Sequence, residues 1–222
     1  MKIKWLGWDS FKLNLGDKVI YIDPIAGKYD EKGDIVLISH GHGDHCDHDV
    51  LDKIRDENTI VITSSPNAVN VNGIGLYPGE KINLDEINVY AVHAYNIVRM
   101  REPGVPFHPK GFGVGWIIEC SGKRIYFMGD TELIPEMREI KNIDLLLIPV
   151  GGKFVMDVEE AIETVKLIRP IKVVPMHYGT VDIVSGDKPR HIELEADVKT
   201  FKEKLSEITE VILLKQNEEL IF

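Results

Sequence analysis

The densest group of metal-binding side chains lies within one stretch of six residues. It contains His40, His42, Asp44 and His45, with glycine at the two intervening positions. Imidazole nitrogens and carboxylate oxygens are the ligands that Zn²⁺ and similar divalent ions accept. A solvated polar loop between a strand and a helix is the alternative, but packing alone rarely concentrates these residue types. The stretch therefore predicts a metal site.

Three further candidate ligands lie downstream, each at the end of an apolar run that predicts a strand. They are His93, Asp130 and His177. A single histidine at a strand end is more often a core or surface residue than a ligand. Three such residues together favour a shared site, because catalytic groups often lie on loops that a rigid sheet displays.

These residues must be positioned by the surrounding chain, whose sequence predicts short strands and two hairpins. The turn pairs Gly16-Asp17 and Ser121-Gly122 predict the hairpins. The apolar runs predict strands at residues 3–6, 11–15, 19–22, 34–39, 59–63, 87–93, 113–119, 123–128, 143–150, 171–175 and 211–214.

Helices are expected after several of these strands. The first begins at Asp47 or Asp49, the second covers residues 158–168 behind a capping box of Asp157 and Glu160, and the third covers about residues 194–208. Two successive blocks of hairpins followed by strand–helix units predict two mixed sheets, packed face to face under outer helices. The whole of residues 1–222 is expected to form one domain.

The composition of the chain argues against several classes of binding partner and suggests where the protein is located. The formal net charge of −10 argues against a broad surface for nucleic acid or anionic membranes. No apolar run approaches the roughly 20 residues that span a bilayer. The only cysteines are Cys46 and Cys120, and the first residues lack the features of a secretion signal, so a cytoplasmic protein is expected.

The order of the candidate ligands resembles the motifs of the metallo-β-lactamase superfamily over roughly residues 1–180. The resemblance implies an α+β fold, a four-layer αββα sandwich of two mixed sheets flanked by helices. It also implies two divalent metal ions, with Zn²⁺ expected and Mn²⁺ or Fe²⁺ as alternatives. One ion would be bound by His40, His42 and His93, the other by Asp44, His45 and His177, with Asp130 bridging them.

An early aspartate, Asp23, matches the strand-end aspartate of the superfamily. In that role its carboxylate would hold a ligand histidine, or the loop that carries it, in place. The alternative is an aspartate that merely forms a turn with Pro24.

The resemblance further implies hydrolysis by a metal-bridging hydroxide, with Asp44 and Asp130 as the catalytic carboxylates. Two adjacent metal ions lower the pKa of a shared water and hold the oxygens of the electrophile. The chain is most similar to a compact branch that includes ascorbate phosphate lactonases, through stretches such as Pro175-Met-His-Tyr-Gly-Thr180. This predicts cleavage of an ester, lactone or phosphoester.

Other activities stay open. A phosphodiesterase of the phospholipase D-like or nuclease-like type is the main alternative, and a metal-binding module without turnover is another. β-Lactam hydrolysis is disfavoured, because the antibiotic-hydrolysing members usually have cysteine where Asp130 stands. Members of the compact branch often self-associate, so a homo-oligomer is also considered.

Residues 96–110 suggest the charge of the substrate. This stretch carries Arg99, Arg101 and Lys110 against Glu102 alone. Arginine and lysine near a metal pair would favour a small anionic substrate. The candidate substrate-binding residues are Arg99, Arg101, His108, Lys153 and Tyr178. The alternative is an exposed loop, stiffened by prolines, whose charges are only solvated.

Overall fold

The computed structural model describes residues 1–183 and 190–222. The strands are β1 (Lys2–Gly7), β2 (Ser10–Leu15), β3 (Lys18–Ile22), β4 (Ile35–Ile38), β5 (Ile60–Ser64), β6 (Ile74–Leu76), β7 (Lys81–Leu84), β8 (Ile87–Ala94), β9 (Met100–Glu102), β10 (Val105–Pro106), β11 (Gly113–Cys120), β12 (Lys123–Phe127), β13 (Leu145–Pro149), β14 (Lys172–Met176), β15 (Gly179–Ile183), β16 (Arg190–Leu194), β17 (Glu210–Val211) and β18 (Glu219–Ile221). The α-helices are α1 (His48–Ile54), α2 (Ala68–Val71), α3 (Val158–Ile168) and α4 (Val198–Leu205), and short 3₁₀ helices cover Ser65–Asn67 and Pro135–Glu139.

These elements divide between two compact units. The described residues of unit 1 lie within Met1–Leu76, Gly179–Glu193 and Leu214–Phe222. Unit 2 comprises Tyr77–Tyr178 and Leu194–Leu213. The expectation that residues 1–222 form one domain stays a prediction.

Unit 1 contains a seven-stranded sheet of order β18-β1-β2-β3-β4-β5-β6. The pairs from β18 to β3 are antiparallel, and those from β3 to β6 are parallel. Every residue of β4 is buried, as expected for a parallel strand covered on both faces. Gly16 has a φ of 65° in the predicted turn between β2 and β3. Asp47 caps α1, as predicted, by accepting hydrogen bonds from two backbone N–H groups.

Unit 2 contains a second seven-stranded sheet, of order β17-β14-β13-β12-β11-β8-β7. Its pairs from β7 to β12 are antiparallel, and those from β12 to β17 are parallel. In the hairpin between β11 and β12, Ser121 and Gly122 both have positive φ, as a two-residue turn requires. The capping box of Asp157 and Glu160 begins α3, whose buried Ile162 and Val165 belong to the apolar core of this unit.

Both sheets therefore repeat one topology, in which a four-stranded antiparallel half continues into parallel strands. This confirms the predicted α+β class with two mixed sheets and flanking helices. The last helix is shorter than predicted, since Val198–Leu205 replaces residues 194–208. Strands β6, β7, β9, β10, β15, β16 and β18 were not predicted. In the part of the chain that the structure describes, no helix is both long and apolar enough to cross a bilayer.

Candidate metal centre

The ligand-rich stretch of unit 1 follows the buried strand β4, and Asp23 directly follows its parallel neighbour β3. Loops after the carboxyl ends of parallel strands are the usual location of binding sites in such sheets. Gly41 passes so close to Asn67 that a Cβ would lie 2.7 Å from the Asn67 Oδ1. The carbonyl of His42 accepts the N–H of His45 at 3.0 Å, which folds the stretch back on itself.

Asp23 is fully buried and organises this loop. Its carboxylate accepts hydrogen bonds from the Ser39 N–H at 2.6 Å and the Ser39 hydroxyl at 2.5 Å, and lies 2.8 Å from Nδ1 of His45. Burial raises the pKa of the Asp23 carboxyl to about 6, against the opposing effect of the hydrogen bonds from His45 and Ser39. Because Nδ1 of His45 faces this carboxylate, its Nε2 is the nitrogen available to a metal.

Two carboxylates lie near that Nε2. Asp44 Oδ2 is 3.8 Å away and Asp9 Oδ2 is 3.9 Å away. Asp9 was not predicted. It lies in the buried turn between β1 and β2, where an aspartate is common for conformational reasons alone, so the sequence does not single it out.

The other two histidines of the stretch lie against each other. Nε2 of His40 is 3.0 Å from Nδ1 of His42. His40 is buried, and its Nδ1 lies 3.0 Å from the Ser39 hydroxyl, which also contacts Asp23. Unit 1 thus places all four predicted ligands of the stretch on one short loop.

In unit 2, the buried Asp130 has a histidine at each carboxylate oxygen. Oδ1 is 3.1 Å from Nδ1 of His177, and Oδ2 is 3.1 Å from Nε2 of His108. Asp130 follows β12, and His177 follows β14 with a φ of 57°. Each carboxylate oxygen of Asp130 therefore contacts one histidine.

His93 stays a predicted ligand. It lies inside β8, where its backbone is paired with Val114. Its ring centroid is 6.2 Å from that of Tyr95. Its buried Nδ1 has no hydrogen-bond partner among the described residues.

His108 reaches Asp130 from the stretch that was predicted to be irregular. That stretch contains the short hairpin of β9 and β10 and is held by Glu132, which is 2% exposed. Burial would raise the pKa of the Glu132 carboxyl, but N–H groups of Val98, Ile97 and Arg99 hold it below its usual value. His108 is buried, and its predicted role in substrate binding stays a prediction.

The remaining substrate candidates differ in their surroundings. The Arg99 guanidinium donates to the Gly152 carbonyl at 2.7 Å and forms ion pairs that include Glu160 at 2.5 Å. Arg101 and Lys153 are exposed, and the Lys153 ammonium lies 5.1 Å from the Phe154 ring centroid. Tyr178 is half-buried, and burial raises the pKa of its hydroxyl.

Comparison with known proteins agrees with this fold. The model of a β-lactamase superfamily domain matches residues 2–177. UPF0173 metal-dependent hydrolases from Methanosarcina barkeri and Pyrococcus abyssi are each 32% identical to the chain. The first alignment covers 90% of this chain and 94% of the relative, and the second covers 99% of both.

Solved structures are also similar over nearly the whole chain. Igni18, a metallo hydrolase from Ignicoccus hospitalis, is 27% identical with a TM-score of 0.78, over 99% of this chain and 97% of its own. A protein of Parabacteroides distasonis, described as a metal-dependent hydrolase, is also 27% identical with a TM-score of 0.83, over 97% and 93%. The chain belongs to the β-lactamase superfamily and, within it, to the UPF0173 family of metal-dependent hydrolases.

Proposed function

We propose that this protein is a dinuclear metal-dependent hydrolase that cleaves an ester, lactone or phosphoester bond in a small anionic substrate. The observation that carries the proposal is Asp130, with one histidine 3.1 Å from each of its carboxylate oxygens. Membership of a family of metal-dependent hydrolases supports the same conclusion.

The residues present fit divalent metal ions. The groups in both units offer imidazole nitrogens and carboxylate oxygens, which suit Zn²⁺ and also accept Mn²⁺ or Fe²⁺. The contact between Asp23 and His45 is the carboxylate–histidine pairing that commonly orients a metal ligand. Asp9 and Asp130 are buried carboxylates whose negative charge a divalent cation would offset.

The ligand assignment that we propose changes the predicted set at one position. His108 takes the place of His93, because Nε2 of His108 contacts Asp130. Within unit 1, the proposed ligands are His40, His42, Asp44 and His45, with Asp9 as a further carboxylate beside His45. Within unit 2, the proposed ligands are His108, Asp130 and His177.

The chemistry follows from these groups. Bound divalent ions supply a water of lowered pKa and polarise the electrophile. Asp44 is the carboxylate that we assign to accept the proton of the attacking water, since its side chain is 16% exposed while Asp9 is fully buried. Asp130 is assigned to binding metal instead, together with the two histidines that it contacts. Lys153 and Arg101, which are exposed, are assigned to bind the anionic group of the substrate.

Metal analysis and a substrate panel test the proposal. The protein should contain close to two divalent ions per chain, and chelation should abolish hydrolysis that added Zn²⁺ or Mn²⁺ restores. The panel pairs phosphorylated or carboxylated esters, lactones and diesters with neutral analogues, and the anionic member should have the higher kcat/KM. Trace metal only, or full metal content without turnover of any substrate, would contradict a hydrolase.

A further inference from the structure

Asn96 lies at the base of the loop that carries His108, and it is 4% exposed. Its backbone N–H donates to the His108 carbonyl at 2.9 Å. Its Oδ1 accepts the backbone N–H of His108 at 2.9 Å and lies 2.7 Å from the ring Nδ1 of the same residue. Its Nδ2 donates to the Phe154 carbonyl at 2.9 Å and to Glu132 Oε1 at 3.2 Å. All the polar groups of this side chain are therefore engaged.

These partners determine which way the amide of Asn96 points. A backbone N–H can only donate, so the amide atom that faces the His108 N–H must be the oxygen. A carbonyl can only accept, so the atom that faces Phe154 must be the nitrogen. Because an amide oxygen cannot donate, a hydrogen bond between it and Nδ1 of His108 requires the proton to be on Nδ1.

The other ring nitrogen of His108 then faces Asp130. In the neutral ring, a proton on Nδ1 leaves a lone pair on Nε2. Nε2 and the Asp130 Oδ2 3.1 Å away are then both acceptors, and a cation shared between them would satisfy both. An imidazole with one nitrogen hydrogen-bonded as a donor and the other unprotonated is the form in which histidine binds metals.

Asn96 is itself held by a buried ionic network. Glu132 accepts the backbone N–H groups of residues 97, 98 and 99 at 2.8, 2.8 and 2.6 Å. Arg99 pairs with Glu132 at 3.3 Å and with Glu160 at 2.5 Å, and Glu160 belongs to the capping box of α3. The loop is thereby fixed to α3, and Asn96 cannot turn without breaking contacts to Glu132 and Phe154.

We propose that Asn96 is a positioning residue that sets the tautomer and orientation of His108, so that Nε2 is directed at Asp130 ready to bind a metal ion. The inference rests on the proposed function, because that function makes His108 a ligand. The inference also assigns Arg99 to stabilising the contacts among Glu132, Glu160 and the loop, instead of to substrate binding.

The experiment measures the protonation of His108 in metal-free protein with ¹⁵N-labelled histidine. Long-range ¹H–¹⁵N correlation spectra distinguish the two ring nitrogens, and His108→Gln identifies the signals. Asn96→Leu removes the acceptor at similar volume, and Asn96→Asp retains an acceptor. Asn83→Leu, on the exposed edge strand β7, is the matched control.

We expect Nδ1 of His108 to be protonated in the unmodified protein, in Asn96→Asp and in Asn83→Leu. In Asn96→Leu, a form protonated only at Nε2 should appear, because Asp130 is then the acceptor that remains for the ring. Zn²⁺ affinity, measured by competition with a chelator, should fall by about 10–100-fold in Asn96→Leu and stay unchanged in Asn83→Leu.

A His108 protonated only at Nε2 in the unmodified protein would overturn the inference, as would an Asn96→Leu protein with unchanged protonation or unchanged Zn²⁺ affinity. If Asn96→Leu does not fold, a His108 protonated only at Nε2 in the unmodified protein still overturns the inference. These spectra need no metal. A protein that binds no Zn²⁺ but shows the expected protonation would therefore refute the proposed function and leave the role of Asn96 supported.

Discussion

Replacing Gly151 by alanine should damage the metal centre through the backbone of His177. A Cβ at position 151 would lie 2.2 Å from the His177 carbonyl oxygen and 2.9 Å from Leu194 Cδ1. Cβ contacts under 3.0 Å essentially never occur, so the carbonyl must retreat from 2.2 to at least 3.0 Å, a shift of about 0.8 Å. Overpacking of this kind costs about 1–3 kcal/mol of unfolding free energy.

The neighbouring glycine supplies a control of similar cost. Gly152 has a φ of 75°, and its added Cβ would lie 3.3 Å from the Asp157 Cβ. Alanine in this left-handed conformation costs about 1–2 kcal/mol. Gly152→Ala should therefore lose about as much stability as Gly151→Ala, but without pressing on His177.

Urea unfolding of the metal-free variants and chelator competition for Zn²⁺ separate the two effects. Both variants should be destabilised, whereas Zn²⁺ affinity should fall by about 10–100-fold only in Gly151→Ala, because a ligand that is displaced binds more weakly. Equal Zn²⁺ affinity in the two variants would refute the reasoning, since it would mean that the position of His177 does not depend on Gly151.

Five further substitutions test the proposed ligands and the substrate charge. Asp130→Ala should reduce the metal content below two ions per chain by elemental analysis, whereas Asp23→Ala should keep both ions and weaken their affinity by about 10–100-fold; full occupancy in Asp130→Ala would exclude a bridging role. His108→Ala should lose metal while His93→Ala retains it, and the reverse result would restore His93 as the ligand. Lys153→Met should raise KM for an anionic substrate without changing metal content or the KM of its neutral analogue, so an unchanged ratio of the two would leave this lysine as a solvated surface residue.

The sequence predicts much of the fold because local signals determine it. The runs that become β4 and β13 are buried along their whole length, and the turn at Ser121 and Gly122 fixes its hairpin without help from distant residues. The capping box of α3 is equally local. Strand β18 was not predicted. It is short, its residues alternate in exposure, and it is stabilised by pairing with β1 at the other end of the chain, which no local signal shows.

The candidate site, like the fold, is only partly predictable from the sequence. The stretch from His40 to His45 is predictable because its ligands are adjacent in sequence. The proposed exchange of His93 for His108 is not predictable, because the contact of His108 with Asp130 forms only in the folded chain. His108 lies in a proline-rich stretch without periodicity, and its position depends on contacts with Asn96 and Asp130.

The pairing of β1 with β18 affects the order in which parts of the chain fold. Lys2 lies opposite Ile221, and Asn217 donates its N–H to the Trp5 carbonyl at 2.7 Å. Contacts between residues so far apart close a very long loop, whose entropic cost is met only after nearer contacts have formed. During synthesis on the ribosome, the edge of β1 that pairs with β18 therefore stays open until the whole of unit 2 has been translated, although β1 can already pair with β2. Pulse-labelled hydrogen exchange during refolding should show the amides of β18 protected after those of β11 and β12, and simultaneous protection would contradict this order.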